Sequence, residues 1–274
     1  SLFERALIDG TGKLLGADFA TLLRENALGI DAGSVFEELA GMAPSEALPA
    51  EPAAQVAIRH TIGMGDPLRD GDYVSDGGDL GLPTTVEAWI RESGVRYFKL
   101  KVSGEVEGDT ARLESIAGLL DGKADDGYRV TLDGNEQFPS AEALAAWWRA
   151  MESRPALSSA VPPVVGDESD EGLDAFRLAA TLGFSGVSAK NCKGVIKSVL
   201  NKMLIEQLSH AHDRAFILSA EDLCNQPIVP LQQDLCVAAA LGVSHAERNG
   251  HHYGGTLAHV SVSELKQALD RHAS

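Results

Sequence analysis

RYFKLKVSG, residues 96–104, joins aromatic and branched residues in a short run closed by a glycine, the pattern of a β-strand. Within it Lys99 and Lys101 stand two positions apart, so on a strand both ammonium groups project from one face. Phe98, Leu100 and Val102 then form the opposite, apolar face. A strand with one apolar face and two adjacent cations on the other needs anionic partners or a chemical use for the charge.

Similar runs recur along the chain. AAQVAIRHT precedes the lysine strand, and YRVTLDGN, PPVVGDES, GVSAKN, AFILSAED and GVSHAERN follow it. Helix-like segments lie between most of them, including TTVEAWIRESG, DTARLESIAGLLDG, SAEALAAWWRAMESR, DEGLDAFRLAATLG and GVIKSVLNKMLIEQLSHAH. Strands alternating with helices predict a parallel α/β sheet. An open nucleotide-binding sheet is disfavoured, because IGMGDPL lacks the third glycine and runs into Pro67, and neither GxxxxGK[ST] nor GxSxG is present. Polar residues instead gather where strands end: Lys99 and Lys101, Asp133 and Asn135, Asp167 and Glu168, Lys190, Glu221 and Asp222, Glu247 and Arg248. A TIM-type barrel builds its active site from such ends.

Composition narrows the function. The chain has 274 residues, 44% of them hydrophobic, enough for a sizeable core. Its net charge of −17, from 40 acidic and 23 basic residues, argues against nucleic acid or an anionic membrane surface as partner. With three cysteines in no CxxC pair and no membrane-length apolar run, a cytoplasmic location with reduced thiols is expected. A homo-oligomer is also expected. Residues 1–23 predict helix, turn and helix, and residues 24–53 a linker with a short helix.

VTLDGN and VVGDES each place a carboxylate at the end of an apolar strand. Carboxylates that converge repel unless a cation lies between them, and Mg²⁺ takes one or two carboxylates with water and substrate oxygens. Lys101 and Lys190 would flank such a metal. For a lysine to serve as base, its pKa must fall from about 10.4 to about 7–8. Burial, a metal and a second ammonium, here Lys99, all push that way.

KLK, LDGN, DES and the lysine of SAKNCKG, in this order, resemble the enolase superfamily, specifically its muconate-lactonizing-enzyme subgroup. ALIDGTGKLLGADFATLL is similar to the helix and turn leading into that family's barrel, and RNGHHYGGTL to its last strand-end loop. The resemblance implies a (β/α)7β barrel, one Mg²⁺ and removal of the proton α to a substrate carboxylate through an enediolate. Lys101 and Lys190 would be base and acid on opposite faces of the substrate carbon, and Asp133 and Asp167 metal ligands. Lys99 would orient the substrate carboxylate or tune Lys101, with Asn135 and Glu221 as further substrate contacts. The expected partner is a small carboxylate substrate.

Two departures from the family pattern stand out. Residues 1–50 match only the end of the family's N-terminal α+β lid domain, which leaves 51–274 for the barrel. Only 34 positions separate Asp133 from Asp167 (167 − 133), too few for a complete strand and helix between them. The expectation is a barrel incomplete near its fourth strand, without that strand's metal-binding glutamate. An inactive relative acting as a binding or scaffold protein remains the competing reading, with Lys99 and Lys101 as ordinary ion-pair partners. His245, His251 and His252 do not have a zinc-ligand spacing, and Trp147 or Trp148 is expected to pack on the barrel.

Overall fold

The structure, a computed structural model, describes residues 1–74, 82–123, 127–154, 163–221, 228–249 and 260–271. It divides into two compact units. One comprises residues 58–162 and 247–258, the other residues 1–57, 163–246 and 259–274.

In the first unit, β1 (Ala57–Ile62, all but its first residue), β2 (Tyr97–Lys101) and β3 (Arg129–Asp133) are parallel. The register sets Phe98 beside Val130 and Lys101 beside Asp133. Helices α3 (Val86–Ser93), α4 (Val106–Lys123) and α5 (Ala141–Glu152) follow in chain order. Their starts are written in the sequence: the Thr85 hydroxyl accepts from Ala88 N, and the Ser140 hydroxyl from Ala143 N. Phe98 and Leu100, the apolar face of the lysine strand, join Ile62, Ile90, Leu113, Ile116, Leu120 and Met151 in one core. Trp147 is buried in this core while Trp148 packs at its edge.

The loop after β2 is held from below by a buried carboxylate. Asp109 accepts from Ser103 N, Gly104 N, the Ser103 hydroxyl and Trp147 Nε1, each at 2.9 Å. Asp109→Ala would strand these donors, so we expect a loss of about 2–4 kcal/mol with a red-shifted tryptophan emission. Urea unfolding followed by fluorescence measures both; a loss below about 1 kcal/mol would contradict the assignment.

The second unit carries β4 (Val165–Gly166), β5 (Gly186–Ala189), β6 (Ile217–Ala220) and the start of β7 (His245–Arg248), parallel neighbours in that order. Gly186 is required where β5 meets β6, since a Cβ there would lie 2.1 Å from the Ile217 carbonyl oxygen. Helices α1 (Leu2–Leu15) and α2 (Phe19–Arg24) come first in the chain, and α1 passes through Gly10 and Gly12 to stop at Gly16 in left-handed conformation. The stretch expected as a linker forms three short 3₁₀ turns at 32–34, 37–39 and 44–46. It is not a loose tether: Ala32, Phe36 and Leu39 are buried with Val199, Met203 and Leu204. These last three belong to α7 (Val195–His212), which follows α6 (Ala175–Thr181); α8 (Val229–Ala240) and α9 (Val262–Arg271) complete the unit.

Among the described residues there are seven strands, each overlapping a run expected from the sequence, with β1 ending one residue beyond its run, at Ile62. No helix among them is long and apolar enough to cross a membrane. Residues 155–162, where the family's fourth strand would be sought, and His251 and His252 fall outside the described residues.

Candidate active site

Each unit places a lysine at the carboxyl end of a parallel strand against acids from neighbouring strand ends.

In the first unit, β3 ends in Asp133, followed by Gly134 and Asn135. A Cβ at Gly134 would lie 2.3 Å from the Phe138 ring, and Asn135 turns the chain with φ 45°. Asn135 N then donates back to Asp133 Oδ1 at 2.8 Å. Lys101 Nζ lies 2.5 Å from Asp133 Oδ2 and 2.8 Å from Asn135 Oδ1. Lys99 Nζ reaches Glu247 Oε2 at 2.6 Å and Asp133 Oδ2 at 2.9 Å. Glu247 also accepts from the Thr61 hydroxyl at 2.6 Å. Lys99 and Glu247 are only 5% and 3% exposed, so this is a buried pair, whereas Lys101 retains access to solvent.

Burial alone would raise the Asp133 pKa. The charge of Lys99 and hydrogen bonds from Lys101, Lys99 and Asn135 N–H outweigh it and hold this carboxyl below the ordinary aspartate value. A folded-state pKa below the unfolded one means the carboxylate contributes stability that is fully present above about pH 4. That contribution is lost as pH falls from there through the folded-state pKa. The urea midpoint is therefore expected to drop more steeply below about pH 4 in the native chain than in Asp133→Asn. Equal slopes would contradict the ion-paired state.

In the second unit, Asp167 and Glu168 follow β4, Lys190 follows β5 and Glu221 follows β6. Lys190 Nζ lies 2.5 Å from Asp167 Oδ1, 2.8 Å from Glu221 Oε2 and 3.4 Å from Glu168 Oε1. Burial works to lower the Lys190 pKa, but the hydrogen bonds and charges of Asp167 and Glu221 prevail and hold it well above the usual lysine range. The loop that carries the acids is clamped from the helical side. Lys193 Nζ donates to the Asp167 and Glu168 carbonyls at 2.9 and 3.0 Å, and the buried Lys197 Nζ to Asp170 Oδ2 at 2.5 Å.

Carboxylate oxygens of Asp167, Glu168 and Glu221 lie within 4.8 Å of one another. Three such hard, anionic donors fit a divalent cation such as Mg²⁺. Lys101, Lys99, Asp133 and Asn135 are thus brought together in one unit, and Lys190, Asp167 and Glu221 in the other. Glu247 and Glu168 were visible in the sequence as strand-end acids without a role; Thr61 carried no signal, since its bond to Glu247 spans 186 positions.

No family model matches the sequence, and no curated protein does. Among solved structures, a mandelate racemase/muconate lactonizing protein from Herpetosiphon aurantiacus is 20% identical with a TM-score of 0.47, over 71% of this chain and 54% of that one. A dipeptide epimerase from Methylococcus capsulatus, complexed with Mg ion, is 19% identical with a TM-score of 0.48, over 74% and 60%. A dipeptide epimerase from Enterococcus faecalis V583 is 15% identical with a TM-score of 0.47, over 82% and 70%. The chain therefore spans little more than half the length of the first two.

Proposed function

We propose that this chain handles a small carboxylate substrate through lysine acid–base chemistry at the carboxyl ends of parallel strands, as an enzyme of the TIM-barrel class. Within that class we read it as an enolase-superfamily isomerase or lyase of muconate-lactonizing-enzyme type. In this reading residues 1–50 correspond to the end of a lid domain and 51–274 to a (β/α)7β barrel incomplete near its fourth strand. The observation that carries the proposal is Lys190 at the end of β5, with Asp167 and Glu221 from the flanking strand ends at 2.5 and 2.8 Å.

Lys101 and Lys190 would move the substrate α-proton, each from the strand end that fixes its position. Lys99, already held by Glu247, would present positive charge towards a substrate carboxylate, with Asn135 and Glu221 as polar contacts. Asp133 and Asp167 are the metal ligands of this reading, and Glu168 and Glu221 stand close enough to Asp167 to assist. Bound Mg²⁺ would supply positive charge for the oxygens of the substrate carboxylate. Racemisation or epimerisation, cycloisomerisation and β-elimination all begin from the same proton transfer. The protein would work in the cytoplasm as a homo-oligomer.

Calorimetric titration with Mg²⁺ tests the metal part. We expect binding weaker than about micromolar, in keeping with a reduced set of anionic ligands, and its loss in Asp167→Asn. Identical heats from the native chain and Asp167→Asn would contradict the assignment.

A further inference from the structure

We propose that α1 is a positioning element for Lys190, acting through Arg5, Asp234 and Asn191 and through Glu4 at the start of α7. The inference rests on the reading of Lys190 as a working residue of the site, and names what holds it in place.

α1 buries none of its residues fully, and Leu2, Phe3, Leu7 and Leu14 are 72–89% exposed. Ile8 alone packs against the core, and the two polar attachments, of Glu4 and Arg5, lead to the turn after β5. Glu4 Oε2 and Oε1 accept from Val195 N and Ile196 N, each at 2.7 Å. These amides belong to the first turn of α7 and have no partner within the helix. The residue at the N-cap is Gly194, which has no side chain to offer them. Glu4 therefore does from a distant helix what a capping side chain does locally, and its charge favours the helix N-terminus.

Arg5 makes the second attachment. Its Nη2 donates to Asp234 Oδ1 at 2.9 Å, and its Nη1 to Gln233 Oε1 at 3.3 Å. Asp234, on α8, has a side chain with no solvent exposure. The same Oδ1 accepts from Asn191 Nδ2 at 2.9 Å. Asn191 is 1% exposed and directly follows Lys190. The turn itself is closed by Lys193 N to Lys190 O at 2.9 Å and Gly194 N to Asn191 O at 3.1 Å. A continuous path of bonds thus runs from α1 through a buried carboxylate to the residue beside Lys190. Removing Arg5 takes an ion-pair partner from Asp234, and the buried carboxylate shifts towards the donors that remain. That shift alters the bond to Asn191, and with it the peptide that aims Lys190 at Asp167 and Glu221.

Competitive acylation of lysines by a limiting amine-reactive reagent, read by peptide mass spectrometry, tests this. Lys266, on the exposed surface of α9, serves as internal reference. In Arg5→Ala the relative acylation of Lys190 is expected to rise on the order of tenfold, the scale of one lost charged hydrogen bond, with Lys101 unchanged. Arg5→Lys, which keeps the charge but not the two-pronged reach to Asp234 and Gln233, should restore the native rate at Lys190 only in part. Glu4→Gln, which keeps the shape, should give a smaller rise of about threefold and serves as the test if Arg5→Ala does not fold. An unchanged Lys190, an equal rise at Lys101, or no rescue by Arg5→Lys would each overturn the proposal. Because acylation reads the ion pairing and accessibility of the amine and not turnover, the result stands apart from whether the chain abstracts α-protons.

Discussion

Lys99→Ala is expected to lower the stability of the unit built from residues 58–162 and 247–258 by about 3–5 kcal/mol. Lys99 is the ammonium shared by Glu247 and Asp133 at 2.6 and 2.9 Å, with all three side chains at most 10% exposed. Its attraction for two acids offsets the cost of taking their charges out of water. Truncation leaves both carboxylates with less compensation, and a buried charge without its partner costs more than the pair contributed when intact. Replacing Lys99 and Glu247 together by apolar residues should cost less than Lys99→Ala alone, since no orphaned charge remains at that pair. Urea unfolding of the native chain and the two variants measures the order. A loss below about 1 kcal/mol in Lys99→Ala would mean that the pair is solvated and would contradict the buried pairing.

The second large effect concerns the proposed proton transfer. Lys101→Ala and Lys190→Ala should each reduce α-proton exchange from one stereoisomer of a substrate by about 10²–10⁴-fold, the usual contribution of a positioned acid or base. The two variants should fail on opposite stereoisomers, because each amine would serve one face of the carbon. The carboxylates of Asp167 and Glu221 favour the ammonium form of Lys190, so that resting ion pair must be rearranged before Lys190 acts as base. Metal and substrate bound at Asp167 and Glu221 would do this, by taking up the negative charge that now holds the amine. Equal and mild losses in both variants with either stereoisomer would leave the lysines as structural ion-pair partners.

The strands were legible because parallel strands covered by helices must be short apolar runs, and their ends are marked by the polar residues that follow. KLK shows both properties at once: Phe98 and Leu100 lie in the core while Lys99 and Lys101 share the other face. That Lys101 would meet Asp133 follows from neighbouring strands in register. What periodicity does not contain is the partner of a residue far along the chain. Lys99 and Glu247 are 148 positions apart, and Glu4 reaches Val195 across 191. The packing of Phe36 and Leu39 beside Val199 and Met203 likewise depends on segments that only the folded chain brings together. The acids around Lys190 could be seen as strand-end acids, but that Asp167, Glu168 and Glu221 gather at that one amine needed the order of β4, β5 and β6.

The most direct test of the central claim is deuterium wash-in at the α-carbon, followed by proton NMR. The chain would be incubated in deuterated water with Mg²⁺ and, in turn, each stereoisomer of a panel of small α-substituted carboxylates. The account predicts loss of the α-proton signal from at least one compound, abolished by a chelator and, according to the stereoisomer, by Lys190→Ala or Lys101→Ala. Metal-independent exchange, or exchange that survives in Lys190→Ala and Lys101→Ala alike, would contradict it.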